Sequence, residues 1–298
     1  MTQIKESELI INPDGSIYHL ALRPEDIAPI IITVGDQNRV EKISRRFDAV
    51  EHRAAHREFV THTGRLGKTR ISVLSTGIGP DNIDIVLNEL DALVNIDFAT
   101  RMPLERHSSL ALVRVGTTGG LQADIPVDSL VASDGAVGFD GLLHFYDAPL
   151  LHNHPLLDAL RAHGRERFNW NFPVAPYFAE SDPALMNFFA DDFALGITAT
   201  NPGFYGPQGR QLRAPLKVPD YIRMLQSFDY EGRKFVNLEM ETSALFGLSA
   251  LLGHRAASLS VVLANRADGT FSADPNRAVE RLIDRLLEKI SAGLPVSA

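Results

Sequence analysis

The chain contains no cysteine, which removes disulfides, thiolate metal sites and a cysteine nucleophile together. No stretch approaches the ~20 consecutive apolar residues of a membrane span. The first nine residues, MTQIKESEL, are polar and mixed in charge, without the apolar core of a secretion signal. Positive charge is in deficit: 29 Lys and Arg stand against 37 Asp and Glu, a formal net charge of −8. No global positive field exists to gather nucleic acid or an anionic membrane surface, so any anion the protein binds must be held by local groups. These absences predict a soluble, cytoplasmic protein.

What is present is an ordinary globular composition, 45% hydrophobic and 22% charged over 298 residues. No repeat, low-complexity segment or Gly/Ser linker divides it, which favours one domain over 1–298, with 1–16 as an N-terminal extension and 97–109 as an insertion. Apolar runs of strand length recur at 29–34 (PIIITV), 70–75 (RISVLS), 110–115 (LALVRV), 194–198 and 258–264 (SLSVVLA). They are continuous rather than alternating, the pattern of strands covered on both faces. Between them lie helical patterns. Ile83, Val86, Leu87, Leu90 and Val94 share one face, as do Val279, Leu282, Ile283, Leu286, Leu287 and Ile290. Asp274 as N-cap and Pro275 as first helical residue mark the start of the last helix. The whole predicts an α/β domain. Residues 97–109 (DFATRMPLERHSS) and the stretch around Trp170, Pro173 and Pro176 read as long connections, either structural padding or binding loops.

In open α/β sheets, ligands bind beyond the carboxyl ends of the strands, and four of those ends carry unusual residues. After the first run, Gly35 and Asp36 turn into a helix with Arg39 one turn in. Free N–H groups and a guanidinium there suit an anion, although an ordinary N-capped turn fits the same residues. In Arg114-Val115-Gly116-Thr117-Thr118-Gly119-Gly120 an arginine ends a buried strand, which is costly unless it is paired. Asp124 or Asp128 is the structural partner available nearby, and the glycines and hydroxyls behind it read as a loop of donors for a small anion. Phe204-Tyr205-Gly206-Pro207-Gln208-Gly209-Arg210 offers a stacking face, an amide and a planar fork of donors. That kit suits the edge of a flat heterocycle, or is simply a turn-rich loop. Glu239-Met240-Glu241 opens an apolar helix at 242–252, where paired carboxylates suit vicinal ribose hydroxyls and helix-terminal acid is the plainer reading. His152 with His154, and His52 with His56, have metal-ligand spacing but no carboxylates to match, so they read as loop and helix histidines, and His144 as structural.

Taken in order, YHLAL at 18–22, VGDQNRVEKI at 34–43, HREF at 56–59, STGIG at 75–79, RVGTTGG at 114–120, FYGPQGR at 204–210, EMET at 239–242 and NR at 265–266 resemble the nucleoside phosphorylase superfamily, and within it the uridine phosphorylases. The resemblance implies a three-layer α/β/α fold around a central mixed sheet. It implies a phosphate site of Gly35, Arg39, Arg114 and Thr117, completed by Arg57 from a neighbouring subunit. Ribose would be held by Met240 and Glu241, with His19 of the neighbour at the 5′-hydroxyl. The base would lie on Phe204 and be read by Gln208 and Arg210, with Thr118, Gly119, Glu239 and Arg266 nearby. A homodimer would be the smallest active unit, with a trimer of dimers left open. The same resemblance places a monovalent cation near Glu58, Ile78 and Asn82, and calls for no other metal and no cofactor, inorganic phosphate being a co-substrate.

The implied reaction is uridine plus phosphate giving uracil and ribose 1-phosphate, a pentosyl transfer in pyrimidine salvage. Positive charge develops on the sugar and negative charge on the base. Three arginines hold the phosphate dianion beside the cation, Glu241 orients the ribose, and Gln208 and Arg210 stabilise the departing uracil. Purine-cleaving members place an aspartate after the late strand, where this chain has Ala264-Asn265-Arg266, and Asp268 lies two residues further on. A phosphorylase of thymidine, deoxyuridine or a purine nucleoside stays open. So does a catalytically silent nucleoside- or phosphate-binding relative, favoured by Asn201-Pro202-Gly203 in place of the usual residue before the Phe-Tyr pair.

Overall fold

Every residue of strand β1 (Ile30–Val34) is buried in the computed structural model, which describes residues 3–294. The first two residues and the last four of the chain lie outside this range. Ile30, Ile32 and Val34 face one hydrophobic cluster and Ile31 faces another, as the alternation of side chains across a strand requires. This is why the apolar runs are continuous.

The further strands are β2 (Ala49–His56), β3 (Phe59–Leu66), β4 (Thr69–Ser75), β5 (Ile96–Asp97), β6 (Met102–Pro103), β7 (Ala111–Gly120), β8 (Leu130–Gly138), β9 (Tyr177–Glu180), β10 (Ala194–Thr200), β11 (Asp229–Tyr230), β12 (Arg233–Glu239) and β13 (Arg255–Asn265). The helices are α1 (Gln37–Ser44), α2 (Pro80–Asn95), α3 (Pro149–His152), α4 (Pro155–Phe168), α5 (Pro183–Phe189), α6 (Tyr221–Gln226), α7 (Thr242–Leu251) and α8 (Pro275–Gly293). The large sheet runs β11-β12-β10-β8-β13-β7-β1-β4-β3-β2, with β9 on β8. It is mixed: β1 is parallel to β4 and β7, and β7 to β13, whereas β8 is antiparallel to β13 and β2-β3-β4 is a meander. β12 also returns to pair antiparallel with the end of β7, curling that half of the sheet onto itself. α1, α5 and α8 cover one face and α2 and α7 the other, while α4 and α6 build a third cluster on Val137 and Phe235. The three-layer α/β/α arrangement is present. In α8, Asp274 accepts from the N–H of Arg277 at 3.0 Å and Pro275 opens the helix.

The structure corrects some local expectations. Residues 116–120 are not a loop: β13 pairs along the full length of β7 and β12 clamps its end at Leu238 and Asn237. β2 and β3 have no continuous apolar run. β2 is the sheet edge and alternates exposed with half-buried residues, so AVEHRAAH lacks the signature of a doubly covered strand. The β5/β6 hairpin spans 96–103, and residues near the N-terminus lie against it. Ile4 N–H donates to Arg101 O at 3.0 Å, and the Arg101 side chain donates to Leu9 O. Trp170 packs 4.4 Å from Phe172 and 5.8 Å from Tyr221, ring centre to ring centre, a structural contact. Among the described residues no helix is long and apolar enough to cross a membrane.

Candidate active site

The carboxyl ends of β1, β4, β7, β12 and β13, with the loop after β10, open onto a cavity of about 810 Å³. Its wall brings together Gly35, Arg39, Arg114, Thr117, Thr118, Gly119, Phe204, Gln208, Arg210, Glu239, Met240 and Glu241, joined by Glu58, Ile78 and Asn82. Residues far apart in sequence meet there because strand ends from both halves of the sheet converge at one edge, where α/β sheets bind ligands.

Arg114 is buried, and its partners are neither Asp124 nor Asp128. Its Nη2 lies 2.5 Å from Glu241 Oε2 and 3.1 Å from Glu239 Oε2, and Nη1 donates to Ser260 Oγ at 3.3 Å. Gly116 makes this possible: a Cβ there would overlap the Arg114 guanidinium, which folds back over the strand. Burial works against the charge on Arg114, but Glu239 and Glu241 outweigh it and hold its pKa above the ordinary value. Arg39 enters from α1 and donates to Val115 O at 3.1 Å. Burial, then the nearby positive charge of Arg114, push Arg39 below its ordinary pKa. Arg39 forms no ion pair among the described residues, so its charge on the cavity wall is available to an anion. The Thr117 hydroxyl, on the same wall, takes no partner among the described residues.

The two glutamates have different duties. Glu239 accepts from Thr200 Oγ1 at 2.7 Å, from Glu241 N–H at 2.8 Å and from Thr242 N–H at 2.9 Å, besides Arg114. Its carboxylate is therefore filled by the first turn of α7 and fixes the frame. Glu241 accepts from Gly79 N–H at 2.8 Å on one oxygen and from Arg114 on the other. Burial raises the Glu241 pKa, Arg114 opposes this, and Glu239 adds to it.

At the opposite end, the Arg210 guanidinium sits 3.9 Å above the Phe204 ring and donates to Gln208 Oε1 at 2.5 Å. The Gln208 carbonyl is thus engaged and its NH2 is turned toward Glu239 O at 3.5 Å. Burial and the proximity of Arg266 push Arg210 down to about 10. Thr118 Oγ1 donates to Leu238 O at 2.7 Å and accepts from Asn237, so its hydroxyl belongs to the strand junction. Asn201 is buried and ties the loop to α6, accepting from Tyr221 Oη at 2.5 Å. The Asn-Pro-Gly departure is absorbed there, away from the cavity wall.

Three expected site residues stand elsewhere in this chain. Arg266 is off the cavity wall and donates to the carbonyls of Gln208 (3.0 Å) and Gly209 (3.3 Å), anchoring the loop backbone. His19 pairs with Glu89 at 2.7 Å, and Arg57 stands 5.8 Å over the Tyr18 ring. Both adjoin the Tyr18 ring, outside this chain's own cavity. The histidine pairs separate: His52 meets Asp26, His56 meets His19 O, His152 stacks on His144, and His154 caps α4. Asp91, His107 and His254 bring ligand atoms within 4.8 Å of one another. Leu110 N–H donates to His254 Nδ1, however, which leaves the proton on Nε2, the atom a metal would need.

The sequence motifs did not mark Leu238, Leu263 and Phe271, which with Ala264 form the apolar wall. Leu263 and Ala264 end the SLSVVLA run, and their position at a strand terminus was the available signal. The Asn265 side chain is used on Gln122 O and Ile125 O, and Asp268 accepts from Thr270. No carboxylate from this segment reaches the wall.

A family model described as the phosphorylase superfamily matches residues 29–292. The chain is 31% identical over 258 residues to a uridine phosphorylase of Thermococcus kodakarensis, covering 87% of this chain and 80% of the relative. It is 30% identical to the uridine phosphorylase of Escherichia coli, covering 85% and 87%. A solved Trypanosoma brucei nucleoside phosphorylase, described as showing uridine phosphorylase activity, superposes with a TM-score of 0.84 at 30% identity, covering 96% of this chain and all of that one. A match spanning nearly the whole described fold, on a cavity built from the same ordered motifs, makes this chain a member of the phosphorylase superfamily.

Proposed function

We propose that this protein is a pentosyltransferase that cleaves uridine with inorganic phosphate to uracil and ribose 1-phosphate, in pyrimidine salvage. The observation that carries the reading is a run of contacts along one cavity: Arg39 beside Arg114, Arg114 on Glu241, Gln208 against the Glu239 carbonyl, and Arg210 on Gln208 and over Phe204. Phosphate at Gly35, Arg39, Arg114 and Thr117 stands on the side of the sugar where positive charge develops. Glu241, beside Met240, accepts from the ribose hydroxyls. Arg210 and Gln208 meet the departing base at its carbonyl edge, where negative charge develops, so full protonation of the leaving uracil is not required. The fully engaged Asn265 and the Thr270-bound Asp268 leave no acid from that segment for a purine N7, although a guanosine phosphorylase of Halorubrum lacusprofundi is 25% identical over 92% of this chain.

The surface placement of His19 and Arg57 supports a dimer in which each subunit completes the other's site. A monovalent cation near Glu58, Ile78 and Asn82 belongs to the same reading. The test is incubation with uridine, thymidine and inosine, each with and without phosphate, followed by separation of the free bases. Uracil released only with phosphate is the expected result. Hypoxanthine as the main product would reassign the base, release without phosphate would make the protein a hydrolase, and no release at all would favour a silent binding relative.

A further inference from the structure

The loop after β4 reaches Glu241, a residue of the cavity wall, through a backbone group. Gly79 has φ 103° and ψ 160°, a region open essentially to glycine alone. A Cβ at this position would also stand 2.7 Å from Asp81 Oδ1. Pro80, which follows, opens α2 without an N–H of its own. In this conformation the Gly79 N–H points away from the helix and donates to Glu241 Oε1 at 2.8 Å, in a buried contact. The other Glu241 oxygen is held by Arg114.

We propose that Gly79 is a positioning residue for Glu241: its left-handed backbone conformation aims an N–H that, opposite Arg114, fixes the plane of the ribose-binding carboxylate. Two grips from different elements, one on each oxygen, leave the carboxylate no rotation about its last torsion. The lone pairs facing the cavity then point in one direction, toward vicinal hydroxyls. Arg114 alone would let the group swing. The charged groups facing Glu241 are Arg114 on β7, Glu239 at the end of β12 and Arg39 on α1. Glu239 disfavours the ionised form of Glu241, and the Gly79 N–H favours it.

This rests on the reading of Glu241 as the ribose holder, and the test separates the two. Wild type, Gly79→Ala, Glu241→Gln and the double variant are assayed with uridine and phosphate across pH. Gly79→Ala retains Glu241 but drives the backbone out of its conformation. Its kcat/KM is expected to fall on the order of 100-fold, with the acid limb moved to higher pH because a donor to the ionised carboxylate is lost. The double variant is expected to be no worse than Glu241→Gln alone. An unmoved acid limb, or losses that multiply, overturns the proposal. A second readout needs neither turnover nor a folded Gly79→Ala: with glycine-selective 15N labelling, the Gly79 amide proton resonance is expected to move upfield in Glu241→Gln. An unmoved resonance overturns the proposal. A moved resonance in a protein that leaves uridine intact upholds the Gly79–Glu241 coupling and removes only the substrate reading.

Discussion

Arg114 shows how much one side chain depends on its surroundings. It balances two buried carboxylates, so Arg114→Ala is not a silent change for the fold: it leaves both without their cation. Phosphate-dependent cleavage is expected to vanish and stability to drop by about 3–5 kcal/mol, measured by urea unfolding. A variant as stable as wild type would refute the pairing. Arg210 is a different case, half-buried and stacked on Phe204. Arg210→Ala is expected to lower kcat/KM for uridine on the order of 100-fold and to leave any residual inosine cleavage nearly untouched. Equal losses on both substrates would reject its role at the base. That Arg114 needs a partner was legible in RVGTTGG, since charge at the end of a buried strand cannot stay unpaired. Which carboxylates answer it was not legible, because Glu241 lies 127 positions away and only strand order brings it near.

Among the elements, β7 joins architecture to chemistry. Its first half reads as a buried strand and its second half as a loop, because Gly and Thr carry little of the apolar signal that marks a covered strand. The pairing to β12 and β13 keeps it extended, which holds Arg114 and Thr117 on the same rigid element. Gly116→Ala would insert a methyl into the Arg114 guanidinium and within 2.9 Å of Ser260 Oγ. The expected outcome is a KM for phosphate raised at least about tenfold with a stability change of ~1–3 kcal/mol, read from phosphate saturation curves and thermal melts. An unchanged phosphate KM would show that the guanidinium tolerates displacement. Other elements carried their own labels. α8 announced itself through Asp274, Pro275 and one apolar stripe, whereas the edge strand β2 did not, since a half-exposed strand has no continuous run to show.

For the whole molecule, His19 and Arg57 both adjoin the Tyr18 ring outside the cavity of their own chain, and a shared-site dimer makes a quantitative prediction. Arg57→Ala and Glu241→Gln are each expected to keep only a small residual rate. When the two are co-expressed, random pairing gives hybrids with one intact site, so about a quarter of wild-type activity should return. No recovery in a mixed dimer would show that each chain builds its site alone. The sequence by itself determined the buried runs, the helix starts and the ordered motifs, because periodicity, capping and turn chemistry act over a few neighbouring residues. Tertiary structure alone decided that Arg266 grips loop carbonyls, that Glu239 is filled by the start of α7, and that Gly79 reaches Glu241 across 162 positions. Those contacts follow from which strands lie side by side and how the sheet curls, and no local stretch of the chain encodes that geometry.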